Sequence, residues 1–231
     1  MSPSAVHSMS RSVSDGQLRI ALPKGSLWGP CLDMLDRAGF DTAEMRGDSR
    51  ALIFDLGEIS AVTVRPSDVP TYVESGAADL GVTGKDVLSE QADRPVYELA
   101  DLGFGACRMV LAAVEGSDDL EEAERHLGSM RIATKYPRIA ESYFERVGRQ
   151  AEIVEVKGSV ELAPLVGLAD GIVDLVDTGR TLAENGLGVV DVISTSTARL
   201  VANRIAHKLR VDELDAMVDR LRDAAVSDPG R

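Results

Sequence analysis

Short apolar runs alternate with stretches of helical periodicity from residue 18 almost to the end of this chain, and that alternation restricts its fold more than any other feature. Runs of this length match buried strands and the stripes between them match crossover helices, which predicts a largely parallel α/β architecture. Residues 18–22 read as a first strand, and Pro23-Lys24-Gly25-Ser26 as the turn that leaves it. Leu27, Cys31, Leu32, Leu35 and Ala38 then form one helical stripe, stopped by Gly39. Residues 51–55 and 59–64 predict two strands around a turn at Gly57-Glu58. Arg65-Pro66 opens a helix to about Ser75, and residues 78–82 form a buried strand leading into Thr83-Gly84-Lys85.

The second half follows the same grammar. Residues 96–102 and 108–114 predict long strands flanking Gly103-Phe104-Gly105, a side-by-side pair able to carry the chain from one lobe into another. That glycine pair lacks the third glycine and following helix of a dinucleotide fingerprint. An acidic helix is expected over residues 118–126, a strand over 131–134, a proline-led helix over 137–147 and a strand over 152–156. Ser159 is placed to cap a helix running to Val166, with Glu161 in its first turn. Residues 171–176 form a buried strand, residues 189–193 return the chain to its first lobe, and a charged helix covers 212–225.

One internal echo stands out. Gly76-Ala77-Ala78-Asp79-Leu80-Gly81-Val82-Thr83-Gly84-Lys85 is repeated in outline by Gly167-Leu168-Ala169-Asp170, a strand, and Thr178-Gly179-Arg180. Both place a Thr-Gly-cation turn beyond the carboxyl end of a strand, where open α/β sheets bind ligands. Two such turns facing each other make a cleft with two anion sites.

Composition narrows the partners. A formal charge of −13 excludes a general nucleic-acid surface, which needs a basic face, and equally an anionic membrane surface. Aromatics are only 4% of the chain, so the core must be built from Val, Leu, Ile and Ala. Cys31 and Cys107 stand far apart and read as reduced thiols, while His7, His126 and His207 are too scattered for a zinc site or a hydrolytic triad. The first sixteen residues are Ser-rich with no apolar run of signal length, and read as a disordered lead-in. No stretch approaches a membrane span, so a soluble, cytoplasmic protein is expected.

The sharpest chemistry lies in Asp174-Leu175-Val176-Asp177-Thr178-Gly179-Arg180-Thr181-Leu182. Gly179 lets the backbone approach an anion, helix N–H groups favour phosphate, and the Thr178 and Thr181 hydroxyls add donors. Asp174 and Asp177 repel that phosphate unless they face ribose hydroxyls or a bound Mg²⁺. A sugar phosphate therefore fits this loop better than an inorganic anion, although an ordinary capped turn has the same outline.

The loop also carries a family resemblance. Glu161, Gly167, Ala169, Ile172, Asp174, Leu175, Thr178, Gly179, Thr181 and Leu182 fall at the spacing that marks the ATP phosphoribosyltransferases. Ala133-Thr134-Lys135-Tyr136-Pro137, Gly158-Ser159-Val160-Glu161-Leu162-Ala163-Pro164 and Arg199-Leu200-Val201-Ala202-Asn203 are similar to that family too. So are Arg65-Pro66-Ser67-Asp68-Val69-Pro70-Thr71-Tyr72-Val73 and the segment from Ala78 to Asp86, collinear from about Leu18 to Asn203.

The resemblance implies a two-lobed α/β fold like that of the type II periplasmic binding proteins, with the active site in the interlobe cleft. It divides the chain into a disordered 1–16, lobe I over 17–98, lobe II over 99–184, a return to lobe I over 185–209, and a C-terminal helix and tail over 210–231. It implies transfer of the 5-phosphoribosyl group from phosphoribosyl pyrophosphate to N1 of ATP, the first step of histidine biosynthesis. Phosphoribosyl pyrophosphate is assigned to Asp174, Asp177, Thr178, Gly179, Arg180 and Thr181. ATP is assigned to Lys24, Gly25, Ser26, Arg50, Arg65, Gly84, Lys85, Arg108 and Glu161, with Lys24, Arg50, Asp174 and Asp177 as the catalytic set. Mg²⁺ is expected through substrate phosphates, with Asp174 as a candidate ligand.

Several of these residues have plainer readings. Lys24 and Lys135 also read as solvated loop lysines, Arg65 as a helix-entry residue, and Glu161 as an acid at the positive end of its own helix. The family usually has Arg where this chain has Ser26, which removes a fork of donors suited to a triphosphate unless Arg50, Lys85 or Arg108 replaces it. Only residues 204–231 follow the last matched motif, so the likeness is to the short form of the family. That form works with a regulatory subunit similar to histidyl-tRNA synthetase in a hetero-octamer. The rival readings are a two-lobed solute-binding protein, a phosphoribosyltransferase for another base, and a catalytically dead paralogue.

Overall fold

The computed structural model describes residues 16–47 and 50–226. The disordered lead-in expected over residues 1–16 and the Pro-Gly-Arg end therefore fall outside the described residues, Gly16 excepted. The chain runs through β1 (Leu18–Pro23), α1 (Trp28–Arg37), α2 (Ala43–Arg46), β2 (Ile53–Asp55) and β3 (Ile59–Val64). A 3₁₀ turn over Pro66–Asp68 leads into α3 (Val69–Glu74), β4 (Leu80–Gly84), α4 (Lys85–Glu90) and β5 (Val96–Asp101). Then come β6 (Cys107–Val114), α5 (Asp119–Leu127), β7 (Met130–Thr134), α6 (Pro137–Val147) and β8 (Ala151–Glu155). The remainder comprises α7 (Leu162–Leu165), β9 (Gly171–Val176), α8 (Arg180–Glu184), β10 (Leu187–Ser196), β11 (Ala198–Asn203), α9 (Arg204–Leu209) and α10 (Val211–Val226).

These strands make two mixed sheets, ordered β2-β3-β1-β4-β11-β5 and β10-β6-β9-β7-β8. In the first, β1 pairs in parallel with β3 and β4, and β11 lies antiparallel to both β4 and β5. In the second, β7 pairs in parallel with β8 and β9, and β6 lies antiparallel to both β9 and β10. The two lobes thus repeat one plan, with the incoming strand of each supplied by a crossing from the other.

The repeat reaches individual hydrogen bonds. The Arg19 N–H donates to Asp79 at 2.8 Å and the Arg131 N–H to Asp170 at 2.7 Å. The Asp79 and Asp170 N–H groups return bonds of 2.8 Å to the Arg19 and Arg131 carbonyls. Both guanidiniums also reach the carbonyl that closes the preceding segment, Ala77 and Gly167. An Arg-Asp bracket therefore fastens the entry of β4 to β1 and of β9 to β7. The Ala-Asp echo in the sequence is its trace.

Each sheet is covered on both faces, as parallel strands require. One face of the first sheet buries Leu18, Ile20, Leu32 and Leu35 together with Leu214, Val218 and Leu221 of α10; its other face packs on α3 through Val69 and Val73. Burying side chains of that kind stabilises by roughly 1.5–3 kcal/mol each, so the charged terminal helix is part of a core. In the second sheet, α5 and α6 cover one face through Leu120, Ala140 and Phe144, and α7 and α8 the other through Ala163 and Leu182.

Three expectations need correction. Residues 189–193 do not return to the first lobe: they lie in β10, which pairs with β6 from Leu187–Val114 to Ser196–Cys107. Their valines mark β propensity rather than burial, for Val190 is 50% exposed. The chain returns only at Thr197, where the Leu102 N–H donates to the Ala198 carbonyl and the Ala198 N–H to the Phe104 carbonyl, both at 2.9 Å. Second, β5 and β6 are not neighbours but belong to different sheets. Third, Ser159 is not the cap of its helix: α7 starts at Leu162 with Glu161 at the cap position, and no side chain bonds there. Pro164 sets that late start, because a proline is tolerated in a first turn and not further in.

Candidate functional site

A cleft of about 810 Å³ opens between the two sheets. The first lobe contributes Ser26 and Leu27 from the β1–α1 turn, Arg65 to Ser67, and Gly84, Asp86, Val87, Glu90 and Gln91 from the β4–α4 corner. The crossing adds Gly105, Ala106 and Cys107, and the second lobe adds Lys135, Tyr136, Leu175 and Asp177. A smaller hollow of about 230 Å³ is made by Glu161 and residues 174–182, and Leu175 and Asp177 line both spaces. The phosphate-type loop therefore opens into the larger cleft.

The loop is built as its sequence suggests. β9 is buried to Val176, after which Asp177, Thr178, Arg180 and Thr181 stand exposed at the carboxyl end of the sheet. Gly179 caps the short α8 with φ +80°, a left-handed conformation that side chains resist. The Thr178 hydroxyl accepts the Arg180 N–H at 3.4 Å. Below the rim lies Asp174, 7% exposed, whose Oδ1 accepts the Leu175 N–H at 2.8 Å. Burial pushes its carboxyl above the usual carboxylate range, with Glu161 pushing the same way and Lys135 and the Leu175 N–H pulling it back.

Lys135 and Tyr136 follow β7, the neighbour of β9. Buried Thr134 fixes their turn, donating to the Val173 carbonyl at 2.6 Å and accepting the Tyr136 N–H at 2.9 Å. The Lys135 Nζ lies 3.6 Å from Asp174 Oδ2. Burial raises the Tyr136 phenol far above its ordinary value, so it faces the cleft as a neutral hydroxyl. Burial likewise raises the Cys107 thiol, which argues against a thiolate nucleophile.

The first-lobe wall is fastened to the crossing. The Asp86 N–H donates to Ser196 Oγ and that hydroxyl donates to Asp86 Oδ1, both at 2.9 Å. A side chain at position 84 would meet Asp86 Oδ1 at 2.1 Å, so Asp86 would have to turn away from Ser196 to admit one. Glu90 reaches across to the other lobe, where its carboxylate accepts the N–H groups of Arg138 and Ile139, each at 3.1 Å, at the positive end of α6. Asp93 pairs with the Arg138 guanidinium beside it.

Ser26, Arg65 and Gly84 thus line the cleft, and Glu161 joins Asp174, Asp177, Thr178, Gly179, Arg180 and Thr181 at the loop. Lys24 and Gly25 border a separate hollow of about 300 Å³ with Trp28, Ala51 and Phe54. Arg50 is exposed next to residue 51 and lines neither space of the site. Lys85 is paired with Glu98 at 2.6 Å, and Arg108 sits in the β6 ladder between Val176 and Thr195. Sequence reasoning did not assign Lys135, Tyr136, Asp86 or Glu90 to the site. For the first two a signal existed, a lysine-tyrosine pair just beyond the carboxyl end of a parallel strand. No local pattern marks Glu90, whose partner is on the other lobe.

No group of three or more His, Cys, Asp or Glu is placed to hold a metal ion among the described residues. The hard oxygens of Asp174 and Asp177 at the loop suit at most a Mg²⁺ ion that keeps most of its water and arrives on a phosphate.

Comparison with known proteins gives one consistent result. Residues 65–223 match the family model described as HisG, ATP phosphoribosyltransferase. The ATP phosphoribosyltransferase of Rubrobacter xylanophilus is 54% identical over 202 residues, covering 87% of this chain and 93% of that protein. The same enzyme from Moorella thermoacetica is 48% identical over 215 residues, with coverages of 90% and 93%. Among solved structures, a chain of the ATP phosphoribosyl transferase (HisG:HisZ) complex from Thermotoga maritima superposes with a TM-score of 0.75 at 33% identity, over 92% of this chain and all of that one. The periplasmic aliphatic sulphonate binding protein SsuA from Escherichia coli gives a TM-score of 0.60 at 16% identity, over 92% and 73%, and shows the shared two-lobed fold alone.

Proposed function

The chain belongs to the ATP phosphoribosyltransferase family, a transferase of the first step of histidine biosynthesis, and we propose how its cleft carries that reaction. The enzyme joins ATP to phosphoribosyl pyrophosphate, giving N1-(5-phosphoribosyl)-ATP and pyrophosphate. Phosphoribosyl pyrophosphate sits in the hollow of residues 174–182, and ATP occupies the larger cleft. The observation that carries this reading is the shared boundary at Leu175 and Asp177: a sugar phosphate seated on the loop turns its anomeric carbon toward the cleft.

The chemistry asks for positioning rather than proton transfer. N1 of adenine has a free lone pair, so no general base is needed, and holding two anionic substrates in line supplies most of the acceleration. Asp174 and Asp177 accept the ribose hydroxyls, while Thr178, Gly179, Arg180 and Thr181 hold the 5-phosphate. Arg65, Ser26 and Gly84 stand on the ATP side. ATP reaches Lys24, Gly25 and Arg50 by extending its phosphates toward the neighbouring hollow, and Lys85, Arg108 and Glu161 belong to the outer ring of the same reading. A Mg²⁺ ion carried on the substrate phosphates would be held beside Asp174 and would supply charge neutralisation at the leaving group.

The same reading gives the chain a regulatory partner similar to histidyl-tRNA synthetase, assembled with it as a hetero-octamer. What supports it is the likeness to a subunit of the Thermotoga complex. The reading also assigns the chain to the cytoplasm, in keeping with two free cysteines and with no helix long and apolar enough to cross a membrane among the described residues.

The test is pyrophosphate release from ATP, phosphoribosyl pyrophosphate and Mg²⁺, by the chain alone and with the partner. Release that needs both substrates, with phosphoribosyl-ATP identified by mass, is the expected result. Folded protein that binds either substrate yet releases nothing under both conditions would overturn it, as would preference for another nucleobase.

A further inference from the structure

The cleft is poorly supplied with positive charge for its proposed substrates. Among the described residues that line it, Arg65 and Lys135 are the cations, against the carboxylates of Asp86, Glu90 and Asp177. The loop hollow sets Arg180 against Glu161, Asp174 and Asp177. Arg180 is exposed at the start of α8 and lines the loop hollow but not the cleft, and Arg65 belongs to the opposite lobe. Lys135 is the cation next to the boundary that the two spaces share.

Its present contact is loose. The separation of 3.6 Å from Asp174 Oδ2 exceeds the 2.7–2.9 Å usual for a charge-assisted hydrogen bond. The Lys135 side chain is 40% exposed while that of Asp174 is only 10% exposed, and Lys135 lines the cleft, so it keeps an open side toward that space. Its backbone is not loose, because buried Thr134 holds the turn on both sides. A rigid turn that presents a lightly held ammonium between two substrate spaces is suited to exchange one anionic partner for another.

We propose that Lys135 is a catalytic residue of the phosphoribosyl transfer, whose ammonium moves off Asp174 and contacts the pyrophosphate of phosphoribosyl pyrophosphate. This rests on the placement of substrates given above. In the empty site Lys135 offsets a buried carboxylate; once the donor binds, Asp174 accepts a ribose hydroxyl and the ammonium turns to the leaving group. In the step itself the adenine N1 lone pair forms the bond to the anomeric carbon. The bond from that carbon to the pyrophosphate oxygen breaks, and its electron pair stays with pyrophosphate. No proton moves: Lys135 keeps its own and stabilises the charge that gathers on the departing oxygen.

The experiment compares wild-type chain, Lys135→Met and Lys135→Arg, each with the partner subunit, by turnover, by thermal melting and by calorimetric binding of pyrophosphate. The expected result for Lys135→Met is a fall in kcat of about 100-fold, the size found when one preorganised charge-stabilising donor is removed. Pyrophosphate affinity falls at least tenfold, the KM for ATP stays within threefold, and melting moves little. Lys135→Arg recovers most of the pyrophosphate affinity. Pyrophosphate affinity and kcat within twofold of wild type in Lys135→Met would overturn the proposal. Recovery of the lost affinity in Lys135→Met/Asp174→Asn would also overturn it, because Lys135 would then only offset Asp174. Pyrophosphate binding needs no turnover, so a wild-type chain that makes no phosphoribosyl-ATP refutes the reaction while this contact is still decided.

Discussion

The two Thr-Gly-cation turns look alike in the sequence and do opposite things in the structure. Thr83-Gly84-Lys85 is turned inward. The Thr83 hydroxyl donates to the Pro66 carbonyl at 3.0 Å, the Lys85 N–H to the Thr197 carbonyl at 3.0 Å, and the Lys85 ammonium pairs with Glu98. Thr178-Gly179-Arg180 stands open at the cleft rim. The Arg-Asp brackets explain the difference. Thr83 lies four residues beyond Asp79, whereas Thr178 lies eight beyond Asp170. Aligned on the brackets, the counterpart of Thr83 is Asp174, and the second turn is carried further out from its sheet. A similar string of residues became a fastening in one lobe and an open rim in the other because of where the strand lets it emerge.

The largest expected effect breaks that pairing directly. Asp174→Ala should lower turnover by about 1,000-fold, since it removes the proposed substrate acceptor at the reacting sugar. Its melting temperature should hold, because the carboxylate is buried at a cost. Thr83→Ala, at the matching position, should cost about 1 kcal/mol of stability through its lost hydroxyl bond and leave turnover near wild type. Steady-state kinetics and denaturant unfolding on both variants decide it; equal losses of activity would mean that the Thr83 side chain also meets substrate.

Next in size is the bracket itself. Asp79→Ala and Asp170→Ala each remove an acceptor of charged and backbone donors, and each should destabilise by roughly 2–3 kcal/mol in urea unfolding. A difference of more than about 1 kcal/mol between them would show that the lobes do not share the load equally.

The smallest effect is in pH. The folded-state value of Asp174 is raised by burial, so the folded protein binds its proton more tightly than the unfolded chain does. The stability contributed by that proton is present below the ordinary carboxylate range and is lost as pH rises through the raised value. With Asp174 as the proposed acceptor of ribose hydroxyls, the acid limb of kcat/KM should lie above the range of an exposed aspartate. Removal of Lys135, which pulls the value down, should move that limb higher still.

Much of this was legible in the chain. The limits expected for the strand at 171–176 and the helix at 137–147 are those of β9 and α6, because each has an apolar pattern closed by its own punctuation, Pro137 at one start and Gly148 just past one end. The turn at 177–181 was readable as a turn because Asp177, Thr178 and Gly179 break the apolar run of β9, and Gly179 takes the left-handed conformation that starts α8. Long-range partnership was not readable. Val189 to Ile193 look like any buried strand, and only pairing with β6 says which sheet receives them. Glu90 reads as a helical surface acid until α6 brings its N–H groups. Lys24 sits in a motif of the family, yet its side of the turn faces another hollow.

The double crossing has a consequence for how the molecule is assembled. Strand β11 stands between β4 and β5, and β5 pairs with β11 alone. Everything from β6 to β10 belongs to the other sheet. A chain emerging from the ribosome therefore holds β5 without a partner until residues near 203 arrive, by which time the second sheet is complete. Contacts of such long sequence separation form slowly, and an unpaired strand is exposed to misassociation while it waits. The lobe that is begun first is finished last.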